Sequence, residues 1–561
     1  MAGTGVIITA PFPPSPLIEP LGSEGIRSKV ERGAQEKCCP PGTHNASAAR
    51  FKTVEQLSPV RRLHSVISLV IRKSARLSAV AALGLTALLA GGAEARWPQF
   101  RGPQGGGLGT SEFPVHFGPG SNVVWQTSLP PGHSSPCIWG RRIFLTGFTD
   151  QRLMVICLDR EDGRVLWQRQ IEPGRIERGA QWSDPATATP TTDGSTVFVY
   201  FGSFGLLAFD FAGTELWRKP LPVPVTQHGP GTSPVLAGEF LLLNCDQDVG
   251  SYLLAVNKRD GRTVWRTERT GFRRGFATPL PWPPERPEQI IVPGTLRLVS
   301  YHLNDGSERW SVRGLPNELV ASPVAGDGLI YVAGWTHGSG VNRMPDFAQL
   351  LAQGDANQDG KLTRQEAPAG PAKQHFAYID ADKDGVLTRD EYAVIARIFD
   401  ESKNTALAVR PDGRGDVTDT HVVWRATRGL PYVPSPLHFN GRIYLVKNGG
   451  LASCLDARTG DFLYQEERLG ALGDYYASPV AAGGRVCLAS QQGVVVIMEA
   501  GDKPAVLARN VLREPILATP AIVDGKLYVR TKGHLYAFGS QSSSRVRPSP
   551  VRQSDVPLPA P

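Results

Sequence analysis

The sequence predicts an all-β fold, an eight-bladed β-propeller of four-stranded antiparallel blades, with a small α-helical pair inserted in blade five. Three observations predict it. A Ser/Thr-Pro dipeptide recurs eight times, most of the units so defined contain a glycine turn followed four residues later by an aromatic residue, and one interval between dipeptides is much longer than the rest. Radial repetition of units of roughly 40–50 residues is typical of propellers.

The Ser/Thr-Pro dipeptides mark the start of each unit. Most are followed by an apolar stretch, a glycine turn and a β-rich run, as in SPVAGDGLIYVAG and TPAIVDGKLYVRT. This pattern is typical of a β-hairpin. Proline is tolerated at the first residue of a strand, because the hydrogen bond that its missing N–H cannot donate matters little there. The dipeptides are Ser135-Pro136, Thr189-Pro190, Ser233-Pro234, Thr278-Pro279, Ser322-Pro323, Ser435-Pro436, Ser478-Pro479 and Thr519-Pro520.

A second element completes each unit. It combines an apolar strand, an acidic or amide turn, a glycine and an aromatic residue, at 158–167, 209–217, 256–265, 302–310 and 455–464. Glycine supplies the left-handed turn residue, and we expect the aromatic residue on the fourth strand to fill the gap between neighbouring sheets. Val123-Val124-Trp125 has no hairpin before it. It is predicted to be the outer strand of the last blade, which closes the ring and removes free sheet edges.

Composition excludes several classes of protein. The 561 residues are 41% hydrophobic and 20% charged, as in a globular chain, and no apolar run is long enough for a multi-pass membrane protein. The net charge is +8, but residues 1–95 hold eleven Lys/Arg against six Asp/Glu, so the rest is close to neutral. A nucleic-acid surface is therefore not expected.

The N-terminal region resembles an export signal. Arg72, Lys73 and Arg76 precede a short apolar core at 77–89, and Ala93-Glu94-Ala95 predicts cleavage after residue 95. We expect a periplasmic or extracellular protein with no stable membrane span in the mature chain. The proline-rich residues 1–60 suggest a mis-annotated translation start. The expected divisions are a leader at 1–95, the propeller at 96–342 and 405–540, an insertion at 343–404, and a disordered Ser/Pro-rich tail at 541–561.

The insertion accounts for the long interval, since Pro323 and Pro436 are 113 residues apart. Residues 355–366 and 380–391 each match the twelve-residue EF-hand loop, whose oxygen ligands suit Ca²⁺. Gly360 and Gly385 permit the sharp turn at position six, and Leu362 and Leu387 are predicted to pair across a short ribbon. The expected ligands of two calcium sites are Asp355, Asn357, Asp359, the Lys361 carbonyl and Glu366, then Asp380, Asp382, Asp384, the Val386 carbonyl and Glu391.

Helices are predicted around the loops, from Asp346 to Gln353 and from Thr388 to Phe399, with apolar faces that close a small core. Each loop carries only three or four carboxylates, so we expect weak affinity, in the range of roughly 10⁻⁴ to 10⁻³ M. A structural role for calcium is then favoured over signalling.

The repeats resemble the pyrroloquinoline-quinone-like (BamB-like) β-propeller family over residues 97–540, starting with Trp97-Pro98-Gln99-Phe100-Arg101-Gly102-Pro103. The resemblance implies two alternatives to a calcium-binding scaffold: a PQQ-dependent dehydrogenase of alcohols or sugars, and an outer-membrane assembly scaffold. Alcohol-oxidising quinoproteins place a vicinal Cys-Cys pair over the quinone. Here Cys38-Cys39 lies before the predicted cleavage point. We therefore favour a binding module over an enzyme.

The segments before the dipeptides are expected to emerge at one face of the ring. They carry polar or aromatic residues that would surround a channel mouth and bind a protein, a peptide or a glycan. These residues are His133, Trp182, Asp184, His228, Arg274, Glu318, Tyr432, Tyr476 and Glu514. No catalytic triad or phosphate loop stands out, so catalytic residues are not assigned.

Overall fold

The computed structural model describes residues 95–177, 183–337, 339 and 344–539. They all lie within one of the two units into which the chain divides. The predicted signal sequence, residues 1–60, Trp182 and the tail after residue 540 lie outside the described residues. Eight sheets follow one another along the chain, and each contains a four-stranded antiparallel blade, so the predicted propeller is confirmed. In the described part, no helix combines the length and apolarity needed to cross a membrane.

Strands are numbered β1 to β36 in chain order, beginning with β1 (Arg96–Trp97) and β2 (Val123–Ser128). Blade one contains β3 to β6 (Cys137–Trp139, Arg142–Thr149, Arg152–Asp159, Val165–Ile171) and blade two β7 to β10 (Thr191–Thr192, Thr196–Phe201, Gly205–Asp210, Glu215–Pro220). Blade three contains β11 to β14 (Val235–Ala237, Phe240–Cys245, Tyr252–Asn257, Thr263–Glu268) and blade four β15 to β18 (Leu280–Trp282, Gln289–Gly294, Arg297–His302, Glu308–Arg313).

Blade five contains β19, β20, β23 and β25 (Val324–Gly326, Leu329–Gly334, Thr405–Val409, Val422–Ala426). Blade six contains β26 to β29 (Leu437–Phe439, Arg442–Lys447, Leu451–Asp456, Phe462–Arg468) and blade seven β30 to β33 (Val480–Ala482, Arg485–Ala489, Val494–Glu499, Ala505–Val511). Blade eight contains β34 to β36 (Ala521–Val523, Lys526–Arg530, His534–Phe538) together with β2.

The insertion leaves blade five after β20 and returns at β23, and these two strands pair antiparallel. It holds the helices α1 (Phe347–Gly354), α2 (Pro371–Gln374), α3 (Phe376–Ile379) and α4 (Arg389–Glu401) and the two-residue strands β21 (Leu362–Thr363) and β22 (Val386–Leu387). After it come β24 (Gly415–Asp416) and the short helix α5 (Thr418–His421). The insertion thus lies between the second and third strands of blade five.

The ring closes as predicted. Strand β2 pairs antiparallel with β36, so residues from both ends of the propeller share blade eight. Two additions were not predicted: β1 extends blade one by pairing with β3, and β24 runs parallel to β18 at the outer edge of blade four.

The Ser/Thr-Pro dipeptides form a closed ring of hydrogen bonds around the channel. In each, the backbone N–H of the serine or threonine donates to the hydroxyl oxygen of its counterpart in the next blade, at 2.9 to 3.1 Å. The eighth bond runs from Thr519 back to Ser135 at 3.0 Å. The first strand of each blade begins at or just after the proline that follows this serine or threonine. We call these eight residues the hydroxyl ring.

Tryptophans join neighbouring blades at the outer strands. The Trp424 indole N–H donates to the carbonyl of Ala457 in blade six at 2.9 Å, and a Cβ on Gly460 would lie 2.5 Å from its ring. Gly460 has φ of 77°, so both its backbone and its missing side chain are required. Trp125, Trp167, Trp217 and Trp265 donate in the same way at 2.9 to 3.0 Å. The expected aromatic filling between sheets is confirmed.

The segment after β1 crosses the inner ends of several blades. The Pro98 carbonyl accepts the N–H of Thr192 in blade two. In blade seven, Ala481 donates its N–H to the Gly107 carbonyl and accepts the N–H of Gly109. The side chain of Arg101 reaches the carbonyl of Pro436 in blade six. This segment therefore lies across the channel on the side where the N-terminal strand enters.

Candidate calcium centre and channel mouth

The second loop brings its carboxylates together. One oxygen from each of Asp380, Asp382 and Asp384 lies within 4.8 Å of the others. Backbone N–H groups orient them, because Gly385 donates to Asp380 at 3.3 Å and Val386 donates to Asp384 at 2.9 Å. These bonds leave other oxygens of the same carboxylates for a cation.

Glu391 is held at the far end of the second loop. Its Oε1 accepts the N–H of Ala381 at 2.8 Å, and its Oε2 accepts both the N–H and the hydroxyl of Thr388, at 2.9 and 2.7 Å. Thr388 also caps α4, which begins at the next residue. Burial acts against the charge of Glu391, but the hydrogen bonds from Thr388 and from the loop backbone lower its pKa. The carboxylate is therefore kept ionised, as a calcium ligand must be.

Asp380 carries the feature that distinguishes this loop. It is 6% exposed, and its buried Oδ1 has no hydrogen-bond partner among the described residues. Burial and the nearby charges of Glu391 and Asp384 raise its pKa. A carboxylate oxygen without a donor, facing other carboxylates, suits a hard divalent cation.

The first loop has the same backbone geometry but lies at the surface. Gly360 donates to Asp355 at 2.9 Å, Lys361 to Asp359 at 2.8 Å, and Thr363 to Glu366 at 2.9 Å. The loops meet through the Leu362–Leu387 pair, which confirms the predicted ribbon. Both leucines are fully buried in a core that includes Phe347 and Tyr392, with Leu296 of the propeller packed against it.

The insertion is anchored beside the channel. The Ser402 hydroxyl accepts the N–H of Asn317 at 2.8 Å, and Lys403 donates its N–H to Leu315 at 3.1 Å. The ring of Tyr378, two residues before Asp380, lies 4.1 Å from the guanidinium carbon of Arg274. The EF-hand loops and the segment that carries Glu318 are thus joined by a few specific contacts.

A cavity of about 310 Å³ occupies the middle of the ring. Five of the predicted mouth residues line it: His133, His228, Glu318, Tyr432 and Tyr476. The Tyr432 hydroxyl donates to Glu318 at 3.1 Å. Burial lowers the pKa of His133, so this ring is neutral near pH 7. The cavity wall therefore combines aromatic faces with neutral and acidic hydrogen-bonding groups.

Three predicted mouth residues are engaged elsewhere. Arg274 pairs with Asp248 at 2.7 Å, and Glu514 accepts from His534 or pairs with it at 2.7 Å. Asp184 accepts the N–H of Ala186 at 2.7 Å. None of the three borders the cavity, and Trp182 lies outside the described residues.

Sequence reasoning missed most of the cavity wall. Seven members of the hydroxyl ring line the cavity, together with Phe100 and Phe276. The Ser/Thr-Pro pattern locates these hydroxyls in the sequence, but it indicates a strand start and not a cavity wall. Phe100 had no such signal, because its position depends on a segment from outside the repeats.

The fold and the two loops define a class, an eight-bladed propeller with an inserted EF-hand pair. The chain belongs to the family described as outer membrane protein assembly factor BamB, whose model matches residues 151–377 and 416–548, more than half of the chain. An EF-hand model matches residues 373–395, which contain the second loop.

Several solved structures are similar to this chain. BamB from Moraxella catarrhalis is 13% identical with a TM-score of 0.47, covering 75% of this chain and 99% of that one. The quinohemoprotein alcohol dehydrogenase ADHIIG from Pseudomonas putida HK5 is 13% identical with a TM-score of 0.47, covering 83% of both chains. The quinohemoprotein alcohol dehydrogenase from Comamonas testosteroni is 12% identical with a TM-score of 0.47, covering 82% of both. No curated protein matches the chain.

Proposed function

We propose that the chain is an exported calcium-binding β-propeller that acts as a binding or scaffold module. Calcium is held by the two EF-hand loops, and the partner binds at the channel mouth. The observation that carries the proposal is the second loop, where three aspartate oxygens converge within 4.8 Å and the buried Asp380 Oδ1 has no donor among the described residues. Export rests on the signal pattern at 72–95.

Calcium has a structural role in this proposal. It neutralises carboxylates that repel one another and fixes the relative position of α1 and α4, which share one core. Because Ser402 is bonded to Asn317, an ordered insertion also fixes one edge of the channel mouth beside Glu318. A metal bound by the folded state stabilises that state through its binding free energy.

The partner is a group small enough to enter a cavity of about 310 Å³. Ligand pockets of this size class combine apolar walls with a few orienting polar groups. Phe276 and Tyr476 provide apolar surface, while Glu318 and the hydroxyl ring provide hydrogen-bonding groups. A side chain of a protein or peptide, or a sugar unit of a glycan, fits this description.

Calcium titration of the purified chain by isothermal calorimetry tests the calcium assignment. We expect two sites in the wild type. Glu391→Gln should weaken the second site by at least about tenfold, since it removes a bidentate ligand. Asp390→Asn is the matched control, because it removes a neighbouring carboxylate that is not a predicted ligand, and it should leave both sites unchanged. Absence of binding at millimolar calcium, or equal effects of the two variants, would refute the assignment.

The quinone alternative is tested on the same preparation. PQQ added to the calcium-saturated chain at tens of micromolar should leave its absorbance band unshifted if the cavity serves a protein, peptide or glycan partner. Stoichiometric binding with a shifted band would replace the scaffold proposal with a dehydrogenase.

A further inference from the structure

Arg101 is a buried cation without a counter-charge. Its side chain is fully buried, and its only hydrogen bond among the described residues runs from Nη2 to the carbonyl of Pro436 at 2.6 Å. The Nε and Nη1 atoms are buried and have no partner in the described part of the chain. Leaving a buried ion unpaired costs several kcal/mol.

The other fully buried arginines show how this propeller normally satisfies such a group. Arg269 donates to both oxygens of Asp246 at 2.6 and 2.9 Å. Arg530 has no carboxylate in contact, but its two terminal nitrogens donate to Ser134 and Pro130. Arg101 has no carboxylate partner, and among the described residues only one of its nitrogens has an acceptor.

Arg101 lies beside carbonyls of residues that directly follow members of the hydroxyl ring. Pro436 and Pro479 directly follow Ser435 and Ser478 of the hydroxyl ring, and a Cβ on Gly107 would meet both Arg101 Nη2 and the Pro479 carbonyl, at 3.2 and 3.1 Å. The guanidinium therefore lies next to the ring between blades six and seven. Each ring hydroxyl accepts one backbone N–H and keeps its own O–H as a donor.

We propose that this end of the channel binds a small monovalent anion, with the Arg101 guanidinium as its charged partner and the Ser435 and Ser478 hydroxyls as neutral donors. Halides and the carboxylate of formate share the required chemistry: one negative charge, small size and the ability to accept several hydrogen bonds.

Protonation keeps the positive charge in place. Burial lowers the pKa of Arg101 to about 9, so the guanidinium remains mostly charged at pH 7 and cannot shed its charge to escape the cost of burial. An anion removes this cost more completely than a water molecule, because it supplies a full opposite charge in a region of low dielectric. The inference is independent of calcium.

Thermal unfolding in different sodium salts tests the site. Chloride, bromide and formate are compared with gluconate, which is too large to enter, at constant sodium concentration and pH 7. The wild type should show a saturable rise in unfolding midpoint of roughly 2–4 °C in one or more of the small anions. The salt that gives the rise distinguishes a halide from a carboxylate.

Variants assign the effect to Arg101. Arg101→Met should lose the dependence on small anions, whereas Arg96→Met should keep it. Arg96 is the matched control, since it lies on the same segment but is exposed and stacks on Trp139 at 4.5 Å. A wild type that responds equally to all four salts would overturn the proposal, and so would an Arg101→Met variant with an undiminished response.

Crystallography keeps the proposal testable if Arg101→Met does not fold. Wild-type crystals soaked in sodium bromide should show an anomalous peak in contact with the Arg101 guanidinium. If formate alone raises the midpoint, the corresponding crystal should show planar density there. Water density at Arg101 under both conditions would overturn the proposal.

Discussion

In the propeller, the backbone N–H groups of the hydroxyl ring are all paired with ring hydroxyls, whereas in the inserted pair a buried carboxylate oxygen has no partner among the described residues. The hydroxyl ring connects all eight blades through bonds of 2.9 to 3.1 Å. In the second EF-hand loop, the Asp380 Oδ1 is buried without a donor among the described residues. The first arrangement satisfies its backbone N–H groups within the protein. The second contains an oxygen that, in our proposal, is satisfied by a cation.

This difference shows where each region obtains its stability. Each blade has its own four-stranded sheet and contacts its neighbours through apolar clusters and tryptophans. The insertion has one small core between α1, α3 and α4 and a two-residue ribbon. A small core supplies little stability by itself, so bound metal commonly supplements it.

The largest expected effect is on the joint between blades. Trp424→Ala removes a buried indole, 8% exposed, together with its bond to Ala457, and leaves a cavity against Gly460. We expect the free energy of unfolding to fall by about 3–5 kcal/mol. Chemical denaturation measures it, with Val423→Ala as the control, because Val423 is adjacent but 39% exposed. A loss for Trp424→Ala no larger than the control's would show that the tryptophan does not join the blades.

Glu177 is a buried carboxylate of the propeller, and both of its oxygens lack partners among the described residues. Burial raises its pKa from 4.5 to about 7. Below pH 4.5 the side chain is neutral in both the folded and the unfolded state. As the pH rises through 7, its ionisation favours the unfolded state, so this contribution to stability is lost.

Glu177→Gln should therefore be most stabilising above pH 7, by at most about 3 kcal/mol, and nearly neutral near pH 4. Denaturation curves of wild type and variant between pH 4 and pH 8 measure this difference. If calcium bound at Glu177 as it is proposed to bind at Asp380, the variant would instead lose calcium-dependent stability. That result would mean that the propeller, like the inserted EF-hand pair, contains a buried carboxylate that a cation satisfies.

The hydroxyl ring predicts a smaller effect. Ser322→Ala leaves the buried N–H of Thr278 without its acceptor, now at 2.9 Å, and should cost about 1–3 kcal/mol. Ser322→Thr keeps the hydroxyl, as in the three ring positions that already carry threonine, and should cost much less. Denaturation midpoints compare the two. Equal losses would mean that packing, not the hydrogen bond, fixes this position.

The sequence predicted the repeat because repetition imposes the same residue types at the same place in every blade. The glycine–aromatic spacing predicted the contacts of Trp167, Trp217 and Trp265, and the EF-hand spacing predicted both loops. What the sequence did not predict depends on contacts between distant segments. Arg101 meets Pro436 only because the N-terminal segment crosses the channel, and Arg274 leaves the mouth because Asp248 from another loop pairs with it.

The smallest expected effect is that of calcium removal on the propeller itself. All eleven tryptophans lie outside residues 343–404, so their fluorescence follows the propeller and not the insertion. The contacts that join the two regions, such as Ser402 with Asn317 and Tyr378 with Arg274, are few compared with those between blades. Chelation should therefore shift the free energy of unfolding measured by tryptophan fluorescence by less than about 1 kcal/mol. Trypsin should cleave within 344–404 much faster after chelation than before it.

A shift of several kcal/mol would mean that the insertion stabilises the ring as a whole. Unchanged cleavage would mean that calcium does not order the insertion, and in that case Asp380 would require another explanation.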